Sequence, residues 1–158
     1  MTTSKNRTWR AGWGDYRVHT EIDIDAPADL TWATLTDFDS MPNWSSQMQG
    51  IDGDFQAGGE VVVTVRAFGR TLTYEHTLID FEDGVQFGWS APVALGMVDH
   101  HVYRIEPQGA TTSRCIQTDQ CRGGLSWLLG RLGARTAKNI YIGFNEELKA
   151  EAERRHLG

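Results

Sequence analysis

The strongest constraint on the fold is a long amphipathic segment that runs from Ser126 to Arg155. With about 100° of rotation per residue, small and apolar side chains form one line along this segment, and basic or polar side chains occupy the opposite side. That line consists of Leu129, Gly133, Thr136, Ile140 and Phe144, with Ala137 and Gly143 beside it. Such a helix must pack its apolar side against other apolar elements, and those left in the chain have the pattern of strands. The small side chains on the line predict either close contact with a sheet or a space between helix and sheet.

Length and composition are those of a globular protein with one domain. The chain has 158 residues, of which 40% are hydrophobic and 23% are charged, and it is long enough to bury a substantial core. The net charge of −6 argues against nucleic acid, whose phosphates require a basic surface, and gives no reason to expect attraction to anionic lipid. No apolar run approaches the roughly 20 residues that cross a bilayer. We therefore expect neither nucleic-acid binding nor stable membrane association.

The N-terminal residues and the cysteines indicate a cytoplasmic location. The segment Met1–Asp15 has no apolar stretch after its basic residues, so the pattern is not that of a secretory signal. On one extended strand, Cys115 and Cys121 would lie about 20 Å apart, beyond disulfide reach. Without an export signal, both are expected to be free thiols in a reducing compartment. Residues 1–15 show no clear period and are predicted to form an arm, partly ordered by its tryptophans.

Alternation and turn residues predict one strand, two short helices and then six consecutive antiparallel strands before the long helix. The predicted strands are 16–25, 49–54, 61–65, 72–81, 85–91, 100–106 and 112–120. The first short helix follows Pro27, and Ser40–Trp44 forms a further turn. Consecutive hairpins make an antiparallel sheet. One helix across a curved sheet is an α+β layer pair, with a space between the layers where a small ligand can bind.

Several short motifs occur in the order and spacing of one known superfamily. These motifs are Glu21–Pro27, Trp32, Leu35–Phe38, Pro42–Trp44, Asp99–Pro107, Gly124–Leu125 and Gly143–Lys149. Together they resemble the SRPBCC superfamily, the helix-grip fold of START lipid-transfer domains, polyketide cyclases and plant pollen allergens. The resemblance implies a single ligand-binding domain over residues 16–158, with a seven-stranded curved antiparallel sheet around the long C-terminal helix and two short helices after the first strand. It also implies a hydrophobic pocket under the last helix but no single chemistry, because only some members are catalysts.

The inner face of the predicted sheet combines aromatic and histidine side chains. Alternation assigns to this face Leu72, Tyr74, His76 and Leu78 of one strand, Val85, Phe87 and Trp89 of the next, and His101, Tyr103 and Ile105 of the one after that. A hairpin turning at Asp83 would place Leu78 opposite Phe87 and His76 opposite Trp89. The parity is consistent, since a slip of one residue would invert a face.

These faces predict a row of inward side chains beneath the helix. The row consists of His76, then Trp89, then His101 or Tyr103. Histidine titrates near neutral pH and can act as a general acid or base. The plainer interpretation also stands: a histidine on an apolar face is usually a partly buried residue with one hydrogen bond, and Tyr103 and Trp89 are more often core.

Other chemistries have weak support in the sequence. His100 and His101 are adjacent on a strand and point to opposite faces, so they cannot hold one metal ion together. No zinc motif, nucleophile elbow or nucleotide-binding loop occurs. We therefore expect neither a metal nor another cofactor.

The loop Ala91–Val98 is largely apolar and would be poorly tolerated in water. We predict that it covers the mouth of the pocket as a lid, or else forms a dimer contact. The sequence leaves both a monomer and a homodimer open.

Three functions follow from this pattern. The first is binding of a small hydrophobic molecule, lipid-like or polyketide-like, by Tyr74, His76, Phe87, Trp89, His101, Tyr103, Thr136, Ile140 and Phe144. The second is a polyketide aromatase or cyclase in which His76 and His101 transfer protons and Tyr103 donates to an enolate oxygen. The third is a structural or interaction protein with a filled core. A cavity of about 300 Å³ or more would favour binding.

Overall fold

A computed structural model of the protein describes residues 6–67 and 69–158. Its strands are β1 Arg7–Gly12, β2 Asp15–Ile24, β3 Met48–Gly53, β4 Glu60–Ala67, β5 Arg70–Glu82, β6 Gln86–Pro92, β7 Val98–Pro107 and β8 Ser113–Arg122. Its helices are α1 Ala28–Thr36 and α2 Ser126–Leu157, with two 3-10 turns at Met41–Asn43 and Ala94–Gly96. The strands form an antiparallel sheet in the order β1-β2-β8-β7-β6-β5-β4-β3. The predicted α+β helix-grip architecture, with two short helices after a strand, is confirmed.

The sheet has eight strands rather than the predicted seven. The additional strand is β1, which lies within the predicted arm and pairs with β2. Sequence periodicity did not show this strand because it lies at the edge of the sheet and nearly all of its residues are exposed. Residues 1–5 of the predicted arm lie outside the described residues.

The hairpin between β5 and β6 departs from the predicted register. Leu78 pairs with Trp89 rather than with Phe87, and the register shifts between Leu78 and Asp80. The turn is centred later than predicted, on Gly84, whose φ of +78° is a conformation that glycine adopts at little cost. The later turn and the β-bulge together move the pairing by two residues, so Leu78 stays on the inner face.

The long helix packs on a different side from the one predicted. Its buried residues are Ser126, Gly130, Ala134, Phe144, Asn145, Leu148 and Ala152. Of the predicted line, Phe144 is buried, but Leu129 and Ile140 are 37% and 43% exposed and Thr136 is exposed. Close packing explains part of the rotation: a Cβ at Gly130 would lie 2.4 Å from the Tyr16 ring, so only glycine fits there.

A buried amide, Asn145, explains the rest of this rotation of α2; about 100° per residue places it away from the predicted apolar line. Its Nδ2 donates to Thr20 Oγ1 at 3.2 Å, and its Oδ1 accepts from Gln117 Nε2 at 2.7 Å and from the Cys115 thiol at 3.5 Å. These contacts join α2 to β2 and β8 inside the core. A hydrophobic pattern cannot anticipate a buried amide whose partners come from two distant strands.

Asn145→Ala is expected to lower the free energy of unfolding by about 2 kcal/mol, because Gln117 and Thr20 each lose a buried hydrogen-bond partner. The measurement is urea denaturation. Asn139→Ala is the matched control, since Asn139 is an exposed amide on the same helix and its removal should change the free energy little. Equal effects of the two substitutions would contradict this assignment.

Candidate functional site

An apolar cavity of about 240 Å³ lies between α2 and the sheet. It is lined by Gln47, Met48, Val63, Val65, Arg66, Ala67, Trp89, His101, Tyr103, Ile140, Tyr141 and Phe144. These residues come from β3 and the segment before it, β4, β6, β7 and α2. The interior is therefore not completely filled, but the volume falls below the roughly 300 Å³ at which typical ligand pockets begin.

Trp89, His101 and Tyr103 form one wall of this cavity. Trp89 pairs with His101 across β6 and β7, and their ring centroids are 5.6 Å apart. The His101 and Tyr103 rings are 4.4 Å apart. His76 extends the row, since its ring stacks on Trp89 at 5.0 Å with 5° between the planes. The structure thus brings together the side chains that alternation placed in a row.

The predicted ligand-binding residues divide into two groups. Those that line the cavity are Trp89, His101, Tyr103, Ile140 and Phe144. Those that do not are Tyr74, His76, Phe87 and Thr136. Phe87 is fully buried in the core, and Tyr74 is 48% exposed. His76 lies against Trp89 instead of the cavity, and Thr136 lies on the exposed side of α2.

Sequence reasoning missed several lining residues, above all Met48, Val63, Val65 and Tyr141. The valines had a usable signal: they alternate along a predicted strand and so share a face. Tyr141 had none, because the helical line was drawn through Ile140 and the next residue is rotated by about 100°. The rotation of α2 described above brings Tyr141 to the cavity.

His101 is held as a neutral ring. Its Nε2 lies 2.9 Å from Gln117 Oε1, while Gln117 Nε2 donates to Asn145 Oδ1 and to the Tyr141 carbonyl. Because this arrangement leaves Gln117 Oε1 as an acceptor, His101 Nε2 carries the proton and Nδ1 is the unprotonated nitrogen. Burial is the main cause that lowers the pKa of His101 from 6.5 to about 4. At neutral pH the ring is therefore uncharged and a weak base.

Burial also changes the pKa of the other two predicted proton-transfer residues, Tyr103 and His76. Burial raises the pKa of the Tyr103 phenol well above its usual value, and the hydroxyl contacts Met48 Sδ at 3.8 Å, so Tyr103 stays protonated. Burial lowers the pKa of His76, whose Nδ1 has no hydrogen-bond partner among the described residues. Both groups are neutral at pH 7.

A polar pair that the sequence did not reveal joins Tyr141, which lines the cavity, to Asp119 of β8. Tyr141 Oη donates to Asp119 Oδ2 at 2.8 Å, and the Tyr141 ring stacks on His101 with centroids 4.3 Å apart. Burial raises the pKa of Asp119. Its other oxygen, Oδ1, is buried without a partner among the described residues. The pair supplies a hydroxyl donor and a poorly solvated carboxyl group in an apolar environment, which is the setting for proton transfer.

A second cavity of about 210 Å³ lies on the other side of this pair. Its lining includes Asp119, Asp99, Val93 and Met97, together with small residues of α2 from Gly133 to Ala137. Burial and the neighbouring Asp119 raise the pKa of Asp99. Because Tyr141 lines the first cavity and Asp119 lines the second, their hydrogen bond lies between the two spaces.

The predicted lid or dimer segment, 91–98, borders the second cavity. Val93 and Met97 contribute to its lining, whereas Leu95 is 57% exposed. The segment thus has one side toward the interior and one side toward solvent. Within the described residues, no helix combines the length and apolarity needed to cross a bilayer.

The fold and the cavity define a class of protein: a helix-grip domain with an internal apolar space under its last helix. Residues 15–153 match the family model described as polyketide cyclase / dehydrase and lipid transport, and the chain belongs to that family. The predicted membership of the SRPBCC superfamily is confirmed. No curated protein matches the chain significantly.

Solved structures show the same fold at low sequence identity. A START superfamily protein from Mycobacterium smegmatis superposes with a TM-score of 0.69 at 14% identity, over 87% of this chain and 97% of the other. The Zhui aromatase/cyclase from Streptomyces sp. R1128 gives 0.61 at 18% identity, over 89% and 95%. Norcoclaurine synthase from Thalictrum flavum gives 0.63 at 10% identity, over 98% and 99%. At these identities the likeness establishes the fold and not the activity.

Proposed function

We propose that the protein binds a small, mainly apolar molecule in the cavity between α2 and the sheet. One observation carries the proposal: the space of about 240 Å³ is walled by apolar and aromatic side chains, and its hydrogen-bonding groups are few. Such a site gains affinity from removing apolar ligand surface from water and orientation from a few polar contacts. Family membership supports this class of function.

The lining limits the ligand further. The Trp89, His101 and Tyr103 rings form an aromatic wall in which the planes of Trp89 and His101 are 76° apart and those of His101 and Tyr103 are 37° apart. Because aromatic rings pair both edge-to-face and stacked, this wall favours ring-containing or polyketide-like molecules. The cavity volume favours a compact ligand of a few rings over a two-chain lipid. A ligand oxygen near Tyr141 would receive a hydrogen bond only if the tyrosine turned from Asp119, so a ligand with one polar end fits best.

Two measurements test the proposal. Mass spectrometry of material extracted from the purified protein should detect a small apolar compound at close to one molecule per chain. Titration with the neutral probe N-phenyl-1-naphthylamine should give saturable fluorescence enhancement with one site per chain. Absence of both would contradict ligand binding and favour the filled-core alternative.

A second candidate function is a polyketide cyclase or aromatase. The Tyr141–Asp119 pair favours it, because ring closure of a poly-β-ketone needs a proton removed from an activated methylene and a donor for the ketone oxygen. Tyr141 would be the donor to the ketone oxygen after its hydroxyl turned from Asp119, to which it donates in the structure. The roles differ from those predicted for His76 and His101: His76 does not line the cavity, and the pKa of His101 is about 4.

Tyr141→Phe separates the two candidates. If the protein is a cyclase, the substitution should reduce turnover of a synthetic poly-β-ketone thioester by about tenfold, since one donor to the reacting oxygen is lost. Affinity for N-phenyl-1-naphthylamine should remain within about twofold, because the apolar wall is unchanged. The control is Tyr74→Phe, at an exposed tyrosine outside the cavity. If the unsubstituted protein does not turn over this thioester, the enzymatic candidate is ruled out for this substrate class.

A further inference from the structure

One end of the molecule carries a set of exposed apolar side chains, which we call the apolar tip. Its members are Trp13, Val93, Leu95, Leu125, Trp127, Leu128, Leu129 and Leu132. Trp13 is 77% exposed, Leu132 69% and Leu128 60%. Single exposed leucines are ordinary, but a set drawn from three chain segments at one end of a protein marks an interaction surface.

Hydrogen bonds hold these three segments together. Ser126 Oγ donates to the Gly14 carbonyl at 2.6 Å, which fixes the turn between β1 and β2 on the start of α2. The Leu125 amide donates to the Leu95 carbonyl at 3.2 Å, which fixes the 91–98 segment beside them. Trp13 stacks on Trp127 with centroids 6.0 Å apart and 9° between the planes. The tip is therefore a built surface, not a set of loose ends.

The leucines of α2 point away from the body of the protein. Gly130 and Ala134 form the buried side of this part of the helix, and helical geometry places Leu128 and Leu132 on the opposite side. An apolar stripe on the solvent side of a helix has no role in the core.

Leu95 is held at this surface against its backbone preference. It has a φ of 61°, in the left-handed region where a leucine is disfavoured and glycine is relaxed. Its side chain is 57% exposed, so packing in the core does not account for the choice of residue. A strained backbone that presents a leucine to solvent indicates a function for that side chain.

Basic residues lie beside the tip, although the whole chain has a net charge of −6: the Arg10 guanidinium lies 5.1 Å from the Trp13 ring centroid. Between Asp119 and Glu146 the sequence contains Arg122, Arg131, Arg135 and Lys138 and no acidic residue. A groove between β1 and α2 is lined by Thr8, Trp9, Arg10, Tyr16, Arg131, Ala134 and Arg135. Within the described part of the chain, no carboxylate forms an ion pair with the three arginines of this groove, Arg10, Arg131 and Arg135.

We infer that the apolar tip docks on the surface of a membrane that contains anionic phospholipid. The leucines and tryptophans would enter the interface between headgroups and acyl chains, where tryptophan is favoured. Arg10, Arg131 and Arg135 would contact the lipid phosphates, which attract basic side chains near the surface. The net charge of −6 gave no reason to expect attraction to anionic lipid. The inference differs from that expectation because basic residues lie beside the tip and the sequence between Asp119 and Glu146 contains no acidic residue.

The surface fits an anionic bilayer better than a second copy of this chain. In a two-fold contact each patch would face itself, so the arginines of both copies would lie close together. The carboxylate of the β1–β2 turn, Asp15, would not compensate for them, because it is already paired with Arg17. A bilayer instead supplies apolar depth and negative charge over the whole patch. The second cavity, bordered by Val93 and Met97, opens next to the tip, so docking would place this opening near the lipid.

The test is sedimentation of the full chain with vesicles of phosphatidylcholine alone and of phosphatidylcholine mixed with phosphatidylglycerol. The protein should bind the anionic vesicles, and high salt should weaken the binding. The double substitutions Leu128→Ser/Leu132→Ser and Arg131→Gln/Arg135→Gln should each weaken binding by about tenfold or more. Matched controls that should change little are Leu157→Ser, at the other end of the same helix, and Arg70→Gln/Arg104→Gln, with the same change in net charge.

Leu95→Gly is the most specific variant. Glycine accepts the left-handed backbone, so the melting temperature should stay close to that of the unsubstituted protein. Binding to anionic vesicles should nevertheless fall severalfold, because an apolar side chain is lost from the tip. Unchanged vesicle binding in this variant and in the Leu128→Ser/Leu132→Ser variant would overturn the inference.

Three further outcomes would also overturn it. The first is equal sedimentation with both kinds of vesicle, and the second is no sedimentation with either kind. The third is a dimer in analytical ultracentrifugation that the Leu128→Ser/Leu132→Ser substitutions dissociate, while neither the original chain nor this variant binds vesicles. The inference is independent of the proposed ligand function. Binding of N-phenyl-1-naphthylamine by the tip variants should remain unchanged, so a failure of either proposal is visible without the other.

Discussion

Ile140→Trp is expected to weaken binding of N-phenyl-1-naphthylamine more than 100-fold. Ile140 lines the cavity and is 43% exposed at its edge. An indole at this position would enter a space of only about 240 Å³ and would exclude a ligand of a few rings. A loss of this size corresponds to about 2.7 kcal/mol of binding free energy. Folding should persist, because the new side chain occupies empty volume instead of displacing packed atoms.

Thr136→Trp is the matched control for this experiment. Thr136 lies one turn earlier on the same helix, and it is exposed and outside the cavity lining. The same added side chain should therefore leave probe affinity within about twofold. Thermal denaturation of both variants would show that they are folded. Equal loss of binding in the two variants would contradict the position of the site, and retained binding in Ile140→Trp would contradict the cavity as the site.

Much of the architecture could be predicted because strand alternation is a local property. The predicted strands 16–25, 100–106 and 112–120 lie within two residues of the observed bounds of β2, β7 and β8. The row from His76 to Tyr103 followed from parity alone, and parity survived the bulge in β5 because the later turn compensated for it. Local patterns therefore placed these aromatic side chains on one face of the sheet, whereas their role as a site stays a prediction.

The helix side of the site could not be predicted in the same way. The apolar line through Leu129 and Ile140 was assumed to face the sheet, whereas Gly130, Asn145 and Leu148 do. A pattern of hydrophobic residues assumes that exposed sides are polar, and this assumption fails when a helix also carries apolar residues on its solvent side. The buried amide of Asn145 and the glycine contact with Tyr16 are tertiary features with no local signature.

The polar pair was missed for a related reason. Asp119 belongs to the inner face of β8 together with Gln117 and Cys115, so this strand places polar side chains inside and Ile116 on the other face. Alternation alone does not decide which face of β8 is buried, because each face mixes polar and apolar side chains. Buried polar side chains of this kind are expected where a fold retains polar groups for function.

Between pH 7 and pH 4, the free energy of unfolding of the original chain is expected to fall by about 3 kcal/mol more than that of the variant His101→Gln. Burial lowers the pKa of His101 in the folded chain from 6.5 to about 4. Above pH 6.5 the ring is neutral in both states and contributes no difference. As the pH falls from 6.5 to 4, the unfolded chain takes up a proton that the folded chain resists, so the free energy of unfolding decreases. Below pH 4 both states are protonated and the loss is complete.

Neighbouring groups make the comparison with a variant necessary. Burial raises the pKa of Asp99 and of Asp119, so in the folded chain they take up protons at higher pH than in the unfolded chain, and their contribution to stability rises as the pH falls. This effect opposes that of His101 in the same pH range. Burial also lowers the pKa of His76, which adds to the acid loss in both proteins.

The measurement is urea denaturation of the original chain and of His101→Gln at several pH values. Glutamine keeps a donor for Gln117 but cannot be protonated, so the difference between the two curves isolates His101. That difference should grow as the pH falls below 6.5 and level off near 4. His156→Gln, at an exposed position near the end of α2, should follow the original chain. Parallel curves for the original chain and His101→Gln would mean that the ring is solvated, and a solvated ring cannot belong to the wall of an apolar cavity.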